Sequence, residues 1–517
     1  MKRPDLLPET YQPLLLSGGL HASAARTPGK PAILCDDSVL TYGELATRVS
    51  LVAGGAAAHG LGPGDRAAVV APNCLEYPEL VCGLSDAGGI VATISPRLTP
   101  REIAEACDDC GARLLFVHAS AADAVAAARP STVERIIGLG PEYENWLAGA
   151  SPAPPHPGLR ETDPFTLVYS SGTTGKPKGI LISHRSRTLT FHGMAMEYGC
   201  YGPDDLQLGI APMSHGAGFA FIMASLYFGG TVDVLPRFEP ELVLSKLGSR
   251  PFTGVFMVPT HFQSIFGLET KVLDRWRNTS PALRTIMSNA AALPQAVKEK
   301  IVAYFGEGLL HETYGSTEAG VVTNLRPQDQ LVRKQSVGRP FAVTRIRLLD
   351  DDGKDVGPGE VGELYSLSPY IFNGYFNQPE ETASVLRDGW ITAGDLARRD
   401  EDGYLYIVDR KKDMVVTGGL NVYPREIEEI LHKHPLVLEA AVIGVPDDKW
   451  GESLRAIVVS RPGQVLRSAE LEAHCRESLA GYKIPKRFRF VDMLPRNAGG
   501  KVLKAELREL EQRVDAA

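Results

Sequence analysis

Charge of one sign is what this sequence lacks first. Its 54 Lys and Arg stand against 62 Asp and Glu, giving a net charge of −8 and a pI near 5.9, and no block of five or six like charges occurs. That balance excludes a basic nucleic-acid surface. Cysteine is scarce as well: Cys35, Cys74, Cys82, Cys107, Cys110, Cys200 and Cys475 are dispersed and odd in number. They form no disulfide framework and fit a reducing cytoplasm. Cys107 and Cys110 make a C-x-x-C, but a structural zinc site needs a second ligand pair, and none stands at a suitable spacing. After Met1-Lys2-Arg3, Asp5 and Glu9 interrupt any apolar run, so the start reads as a mature N-terminus rather than a signal peptide. One uncharged stretch, Gly216 to Val232, approaches membrane-span length; its glycines and mid-chain position suit a buried helix better. Internal repeats and low-complexity tracts are missing too.

What is present is ample core material. With 44% hydrophobic and 22% charged residues, 517 residues exceed one ordinary core and predict two or three domains. Thr41-Tyr42-Gly43-Glu44 is a capping box that opens a helix, and Arg66 to Ala71 is a short buried strand before the turn at Pro72-Asn73. Pro100 to Cys110 then reads as helix and Leu114 to Val117 as strand. The alternation continues through Val255 to Val258 and Leu283 to Met287, the pattern of parallel sheets layered with helices. Past about Asp350, Asp351-Asp352-Gly353, Gly357-Pro358-Gly359 and Asp402-Gly403 punctuate short strands, a small β unit. A helix from Pro424 to His434, a strand from Ala440 to Gly444, a helix from Ser468 and a strand from Arg487 to Val491 predict a compact α+β end. The fold class is therefore α/β: a large N-terminal body of layered α/β subdomains with a small β unit, and a small α+β C-terminal domain.

The strongest chemical signal is Tyr169-Ser-Ser-Gly-Thr-Thr-Gly-Lys-Pro-Lys-Gly179, directly after the apolar Phe165 to Val168. Backbone N–H groups freed by glycine, with hydroxyls and two lysines, can wrap a polyphosphate. A Walker A loop needs Ser or Thr after its lysine, and Pro177 stands there, so the phosphate site is of another kind. A solvated Gly/Ser linker is the competing reading, although such linkers rarely carry Lys-Pro-Lys between glycines behind a buried strand. Tyr314-Gly-Ser-Thr-Glu318 offers a stacking face and a hard oxygen ligand, or else is simply a polar turn. Asp395, in Asp388-Gly-Trp-Ile-Thr-Ala-Gly-Asp395, is a carboxylate suited to vicinal hydroxyls because it only accepts.

In this order of motifs, from about Thr41 to Leu503, the chain resembles the adenylate-forming superfamily of acyl-CoA synthetases, luciferases and peptide-synthetase adenylation domains. The resemblance implies that Ser170, Ser171, Gly172, Thr173, Thr174, Gly175, Lys176 and Lys178 hold the β- and γ-phosphates of ATP. It places Tyr314 against adenine, Thr317 near the α-phosphate and Glu318 toward Mg²⁺, with Gly315 among the ATP-binding residues. Asp395 and Arg410 would hold the ribose. Relatives commonly read Tyr-Arg-Thr-Gly-Asp, whereas this chain has Thr392-Ala393-Gly394-Asp395, which removes that threonine from its family position. Lys501, in Pro495-Arg-Asn-Ala-Gly-Gly-Lys501, corresponds to the lysine that reaches the carboxylate and α-phosphate; an ammonium there neutralises charge between two anions. Lys412 falls at the hinge, and its neighbour Lys411 reads as solvated. The implied division is 1–409 for the nucleotide-binding body, 410–412 for the hinge and 413–517 for a mobile C-terminal domain. Gly418 and Gly419 correspond to the segment that admits a pantetheine arm, and a tight turn is equally compatible with them.

The acid pocket implied by the resemblance is lined by His215, Phe219, Ser288, Asn289, Ala290 and Gly315. His215 is also readable as a satisfied core histidine. No acidic residue lies between Ser214 and Met223 to pair with an amino acid's ammonium, while Phe219, Phe221, Ile222 and Met223 are apolar. The acid is therefore expected to lack an α-amine and to carry a fatty or aryl body. The resemblance implies ATP and Mg²⁺ as cofactors, CoA as acceptor, no integral membrane segment, and an oligomeric state, monomer or homodimer, left open. A carrier protein or an amine is the alternative acceptor. A catalytically silent nucleotide-binding relative would be expected to lose Lys501 or Glu318, and both are present.

Overall fold

The structure is a computed structural model that describes residues 12–170, 178–447, 449–496 and 502–515. Four sheets organise them. The first has seven strands in the order Gly374–Tyr375, Lys178–Ser183, Pro164–Ser170, Ile90–Ile94, Arg66–Val70, Leu114–Val117, Arg135–Gly138. From Pro164–Ser170 onward the pairs are parallel, and the inner strands Ile90–Ile94, Arg66–Val70 and Leu114–Val117 are short, largely buried apolar runs. A second sheet of nine strands takes the alternation onward, with Thr285–Ser288 beside Leu310–Ser316 and the hairpin partner Gly320–Leu325 next to it. Its far edge is Pro31–Cys35 and Ser38–Thr41, so an early segment of the chain pairs beside Thr231–Val234, about two hundred residues further on.

Local sequence sets the helices between these sheets. Thr41 and Glu44 form the anticipated reciprocal cap on Tyr42–Ala58, and Thr99 with Glu102 repeats it on Pro100–Cys110, which Gly111 ends in the left-handed conformation. The apolar stretch from Gly216 makes a buried helix only as far as Phe228. Gly229, at φ 87°, stops it, and Val232 belongs to the strand Thr231–Val234. No helix among the described residues is long and apolar enough to cross a membrane. One continuous core, including Tyr42, Tyr77, Phe165, Phe191, Phe219 and Phe341, fills the space between the two large sheets.

The small β unit is an antiparallel sheet of Arg345–Leu349, Val361–Leu367, Trp390–Arg399 and Leu386–Arg387, with Leu405–Arg410 paired to Trp390–Arg399. Beyond it a 3₁₀ turn, Lys411–Asp413, leads into the fourth sheet, which holds Val415–Thr417, Leu420–Val422, Val437–Asp447, Gly451–Ser460 and Arg487–Phe490. Val415, Ile427, Leu431, Val442, Val458 and Leu471 form a core on that sheet alone, built entirely from residues past the turn.

Cys107 and Cys110 are both buried, and burial pushes their thiols up to about 12 and about 11. Both are inert as nucleophiles at neutral pH.

Candidate active site

The Tyr314–Glu318 segment spans the end of one strand and the tip of the hairpin that Gly320–Leu325 completes. A β-carbon on Gly315 would stand 2.0 Å from the Gly320 carbonyl oxygen, so the hairpin closes only around glycine. That closure aims Tyr314 at the small β unit, where its hydroxyl donates to Asp395 Oδ2 at 2.6 Å. On the other side of the carboxylate, Arg410 Nε lies 3.3 Å from Oδ1; Asp395 and Arg410 are direct partners across antiparallel strands. Burial first, and then the Asp395 charge, holds the Tyr314 phenol well above its usual range, so it remains a donor. Three residues singled out from separate motifs thus meet at one carboxylate.

Glu318, at the same hairpin tip, accepts from the Tyr375 hydroxyl at 2.9 Å, and its carbonyl accepts from the Phe372 N–H at 2.8 Å. Lys178 Nζ lies 5.1 Å from the Tyr375 ring centroid and pairs with Glu381. Tyr375 therefore joins the Lys178 end of the glycine-rich loop to Glu318. Nothing in the sequence motifs singled it out, and only the pairing of Gly374–Tyr375 with Lys178–Ser183 brings it there. Ser170 and Lys178 are cross-strand partners, so the loop between them leaves and re-enters the sheet at one point. Ser171, Gly172, Thr173, Thr174, Gly175 and Lys176 lie outside the described residues, as does Lys501.

Thr392 has a local task. Its hydroxyl donates to Glu363 at 2.8 Å and accepts from the Gly394 N–H at 2.9 Å, which fixes the turn that presents Asp395. Asn289 donates to Thr313 Oγ1 at 2.7 Å, and Ala290 next to it adopts φ 75°, a conformation that few residues with a β-carbon hold. Ser288 is fully buried, with an Oγ that has no hydrogen-bond partner.

His215 precedes the first turn of Gly216–Phe228 and borders a pocket of about 70 Å³ shared with Asn73, Arg97, Arg237, Phe238 and His261. Burial, and then Arg97, lowers both imidazoles, His261 to about 4, so both are neutral at pH 7. His261 stacks on Phe238 at 4.1 Å, and its Nδ1 has no partner. A second, apolar gap of only about 10 Å³ includes Leu208, Phe221, Ile222 and Phe256 in its wall. Phe219 borders neither. It stacks on Phe165 at 5.9 Å and carries Arg187 over its ring, because three residues along a helix from Gly216 point it toward the first sheet.

Lys412 sits within the 3₁₀ turn, where Met414 N–H donates to the Arg410 carbonyl at 3.1 Å. Burial lowers its ammonium below the ordinary range. Lys411, read as solvated, is exposed and pairs with Asp351 at 3.0 Å and Glu363 at 3.1 Å, contacts of little energetic weight. Gly418 and Gly419, at φ 58° and 77°, are the two tip residues joining Val415–Thr417 to Leu420–Val422, the turn type that a two-residue hairpin requires. Beside this tip Trp450 is 42% exposed, with the ammoniums of Lys449 and Lys486 4.9 and 5.2 Å from its ring.

A tyrosine and an arginine held at one buried carboxylate, and a glutamate joined through Tyr375 to Lys178, on an α/β body with an appended C-terminal unit, fit a nucleotide-binding protein. The chain belongs to the family of AMP-binding enzymes, whose model matches residues 20–376, with the AMP-binding enzyme C-terminal domain matching residues 426–501. It is 37% identical over 492 residues to a feruloyl-CoA synthase of Amycolatopsis sp, covering 94% of this chain and 96% of that one. A fatty acid–[acyl-carrier-protein] ligase, ScoC, of Streptomyces coeruleorubidus is 32% identical over 509 residues, 96% of either chain. Among solved structures, ATP-bound MatB from Rhodopseudomonas palustris superposes with a TM-score of 0.89 at 31% identity, over 97% of this chain and all of that one.

Proposed function

We propose that the chain is an AMP-forming carboxylic acid–CoA ligase. The acid's carboxylate attacks the α-phosphorus of ATP, giving an acyl-adenylate and pyrophosphate. A thiol then attacks the acyl carbon, giving a thioester, AMP and a proton. The observation that carries the reading is the meeting of Tyr314, Asp395 and Arg410 at one carboxylate, with Glu318 on the same hairpin as Tyr314 and joined through Tyr375 to Lys178.

In this reading Asp395 exchanges the Tyr314 hydroxyl for the ribose hydroxyls when nucleotide binds, and freed Tyr314 covers the adenine. The loop at 170–178 takes the β- and γ-phosphates, and Lys501 bridges the carboxylate and α-phosphate. Glu318 fits Mg²⁺ in one respect: Tyr375 occupies one of its oxygens and leaves the other, a hard ligand of the kind Mg²⁺ takes sparingly from protein when it binds with nucleotides. Mg²⁺ there would neutralise charge on the phosphates.

His215, kept neutral by burial, borders the acyl group. The absence of a carboxylate between Ser214 and Met223 supports an acid without an α-amine and with a fatty or aryl body. The feruloyl-CoA and fatty-acid relatives support the same class. CoA is favoured as acceptor by Trp450, whose indole face and two flanking ammoniums stand beside the Gly418–Gly419 tip and suit a phosphorylated nucleotide carrying a thiol arm. ScoC is the specific reason to keep an acyl-carrier protein as second reading. Seven free cysteines support a cytoplasmic setting. The division into 1–409, a hinge at 410–412 and 413–517 is supported by the separate core past the 3₁₀ turn.

The test is pyrophosphate release over a panel of fatty, aryl and amino acids, with and without CoA, and mass detection of product. A CoA-dependent thioester from a fatty or aryl acid is the expected result. Pyrophosphate release without thioester would move the acceptor to a carrier protein, and release with amino acids alone would overturn the acid class.

A further inference from the structure

Arg187 stands out because nothing described neutralises it. It lies on the His184–Tyr198 helix and is 8% exposed. Its hydrogen bond from Nη1 to the Gly216 carbonyl is long, at 3.4 Å, and its Nε is buried without a partner. Among the described residues no carboxylate pairs with it. Phe219 lies under the guanidinium at 5.9 Å and covers its face, while the edge stays free. Taking a cation out of water without an anion costs several kcal/mol, and buried charges are ordinarily paired.

What faces that edge is a small space over Gly216. An atom placed where a β-carbon would stand on Gly216 lies 3.6 Å from Thr317 Cγ2, 3.7 Å from Thr317 Oγ1 and 3.8 Å from Arg187 Nη2. A hydroxyl and a guanidinium thus converge on one point, at the first turn of a 13-residue helix whose free N–H groups and dipole add positive potential there. Burial pulls the guanidinium down to about 10, which leaves it cationic at neutral pH.

We propose that Arg187 is the standing cation of the reacting centre and binds an oxyanion over Gly216 beside Thr317, either the α-phosphate of the nucleotide or the carboxylate of the acid. The inference rests on the nucleotide reading of the Tyr314–Glu318 hairpin. A fixed guanidinium on the body supplies positive charge in both half-reactions, including the one in which Lys501 is withdrawn. Its planar fork suits two oxygens of one anion, which an ammonium does not match.

The test uses the full chain with Arg187→Met and Arg187→Lys; Arg187→Gln, which keeps a donor toward Gly216, replaces the first should it not fold. AMP and adenosine affinities are measured by calorimetry, and KM and kcat with ferulate and octanoate as probe acids. If the oxyanion is the phosphate, Arg187→Met weakens AMP by about 10- to 100-fold and leaves adenosine unchanged. If it is the carboxylate, the AMP preference persists and the acid KM rises by about the same factor at similar kcat. Partial recovery in Arg187→Lys supports either form. Unchanged AMP preference together with unchanged acid KM overturns the proposal, whatever happens to the melting temperature. A wild-type chain that binds neither AMP nor adenosine overturns instead the nucleotide reading beneath it.

Discussion

Single residues carry two measurable consequences. Asp395 holds Tyr314 and Arg410 and, in the proposed reaction, the ribose. Asp395→Ala is expected to raise the KM for ATP by about 10- to 100-fold, the worth of hydrogen bonds to a charged group, in a pyrophosphate-release assay on folded protein. The second consequence concerns acid. Burial lowers His184, His261 and His311 to about 4, and His184 Nδ1 accepts the Leu16 N–H at 3.1 Å, a bond that only the neutral ring can make. The folded pKa values lie below the unfolded one, so the unfolded chain binds more protons between pH 6.5 and 4. Stability is therefore full above about pH 6.5 and falls as pH drops toward 4, by on the order of 3 kcal/mol for each histidine. Urea midpoints at several pH values check this, and a flat profile would contradict it. Asp395, Tyr314 and Arg410 could be singled out from the sequence because each sits in a motif of distinctive residues. Tyr375 and Arg187 could not, since both acquire meaning only from neighbours far along the chain.

At the scale of elements, local rules were readable and pairings were not. The caps at Thr41 and the buried strand from Arg66 follow from neighbouring residues, and Gly229 ends a helix for a local reason. No periodicity reveals that Pro31–Cys35 lies beside Thr231–Val234 or that Gly374–Tyr375 edges the loop sheet, because such contacts join segments whose sequences are independent. The Gly418–Gly419 tip shows both sides. As residues the glycines were compatible with a turn or a passage, and the structure makes them a turn whose first residue cannot take a side chain freely. A β-carbon on Gly418 would stand 2.9 Å from Trp450 Cε3 at φ 58°. Gly418→Ala should cost about 1 kcal/mol of local strain and shift the indole. Thioester formation from a supplied acyl-adenylate is expected to slow, while pyrophosphate release stays near the wild-type rate. Equal slowing of both steps would remove this hairpin from the transfer step.

For the whole molecule the question is whether one site serves two reactions by reorientation. The C-terminal sheet has its own core and is linked along the chain to the body by the 3₁₀ turn at Lys411–Asp413, so rotation there leaves that core intact and breaks only contacts such as Arg425 N–H to Asp409. Proline at 412 would fix φ near −65° and disfavour the helical conformation at Lys411, removing freedom where the proposed swing needs it. Lys412→Pro is expected to keep adenylation and lose thioester formation, whereas Lys501→Ala should lose adenylation and keep thioester formation from a supplied acyl-adenylate. Both half-reactions are measured separately, by pyrophosphate release and by CoA-dependent consumption of the adenylate. The crossed pattern requires two working orientations of one C-terminal unit. Parallel loss of both activities in either variant would mean that a single arrangement performs both steps, with Lys412 acting only as part of the fold.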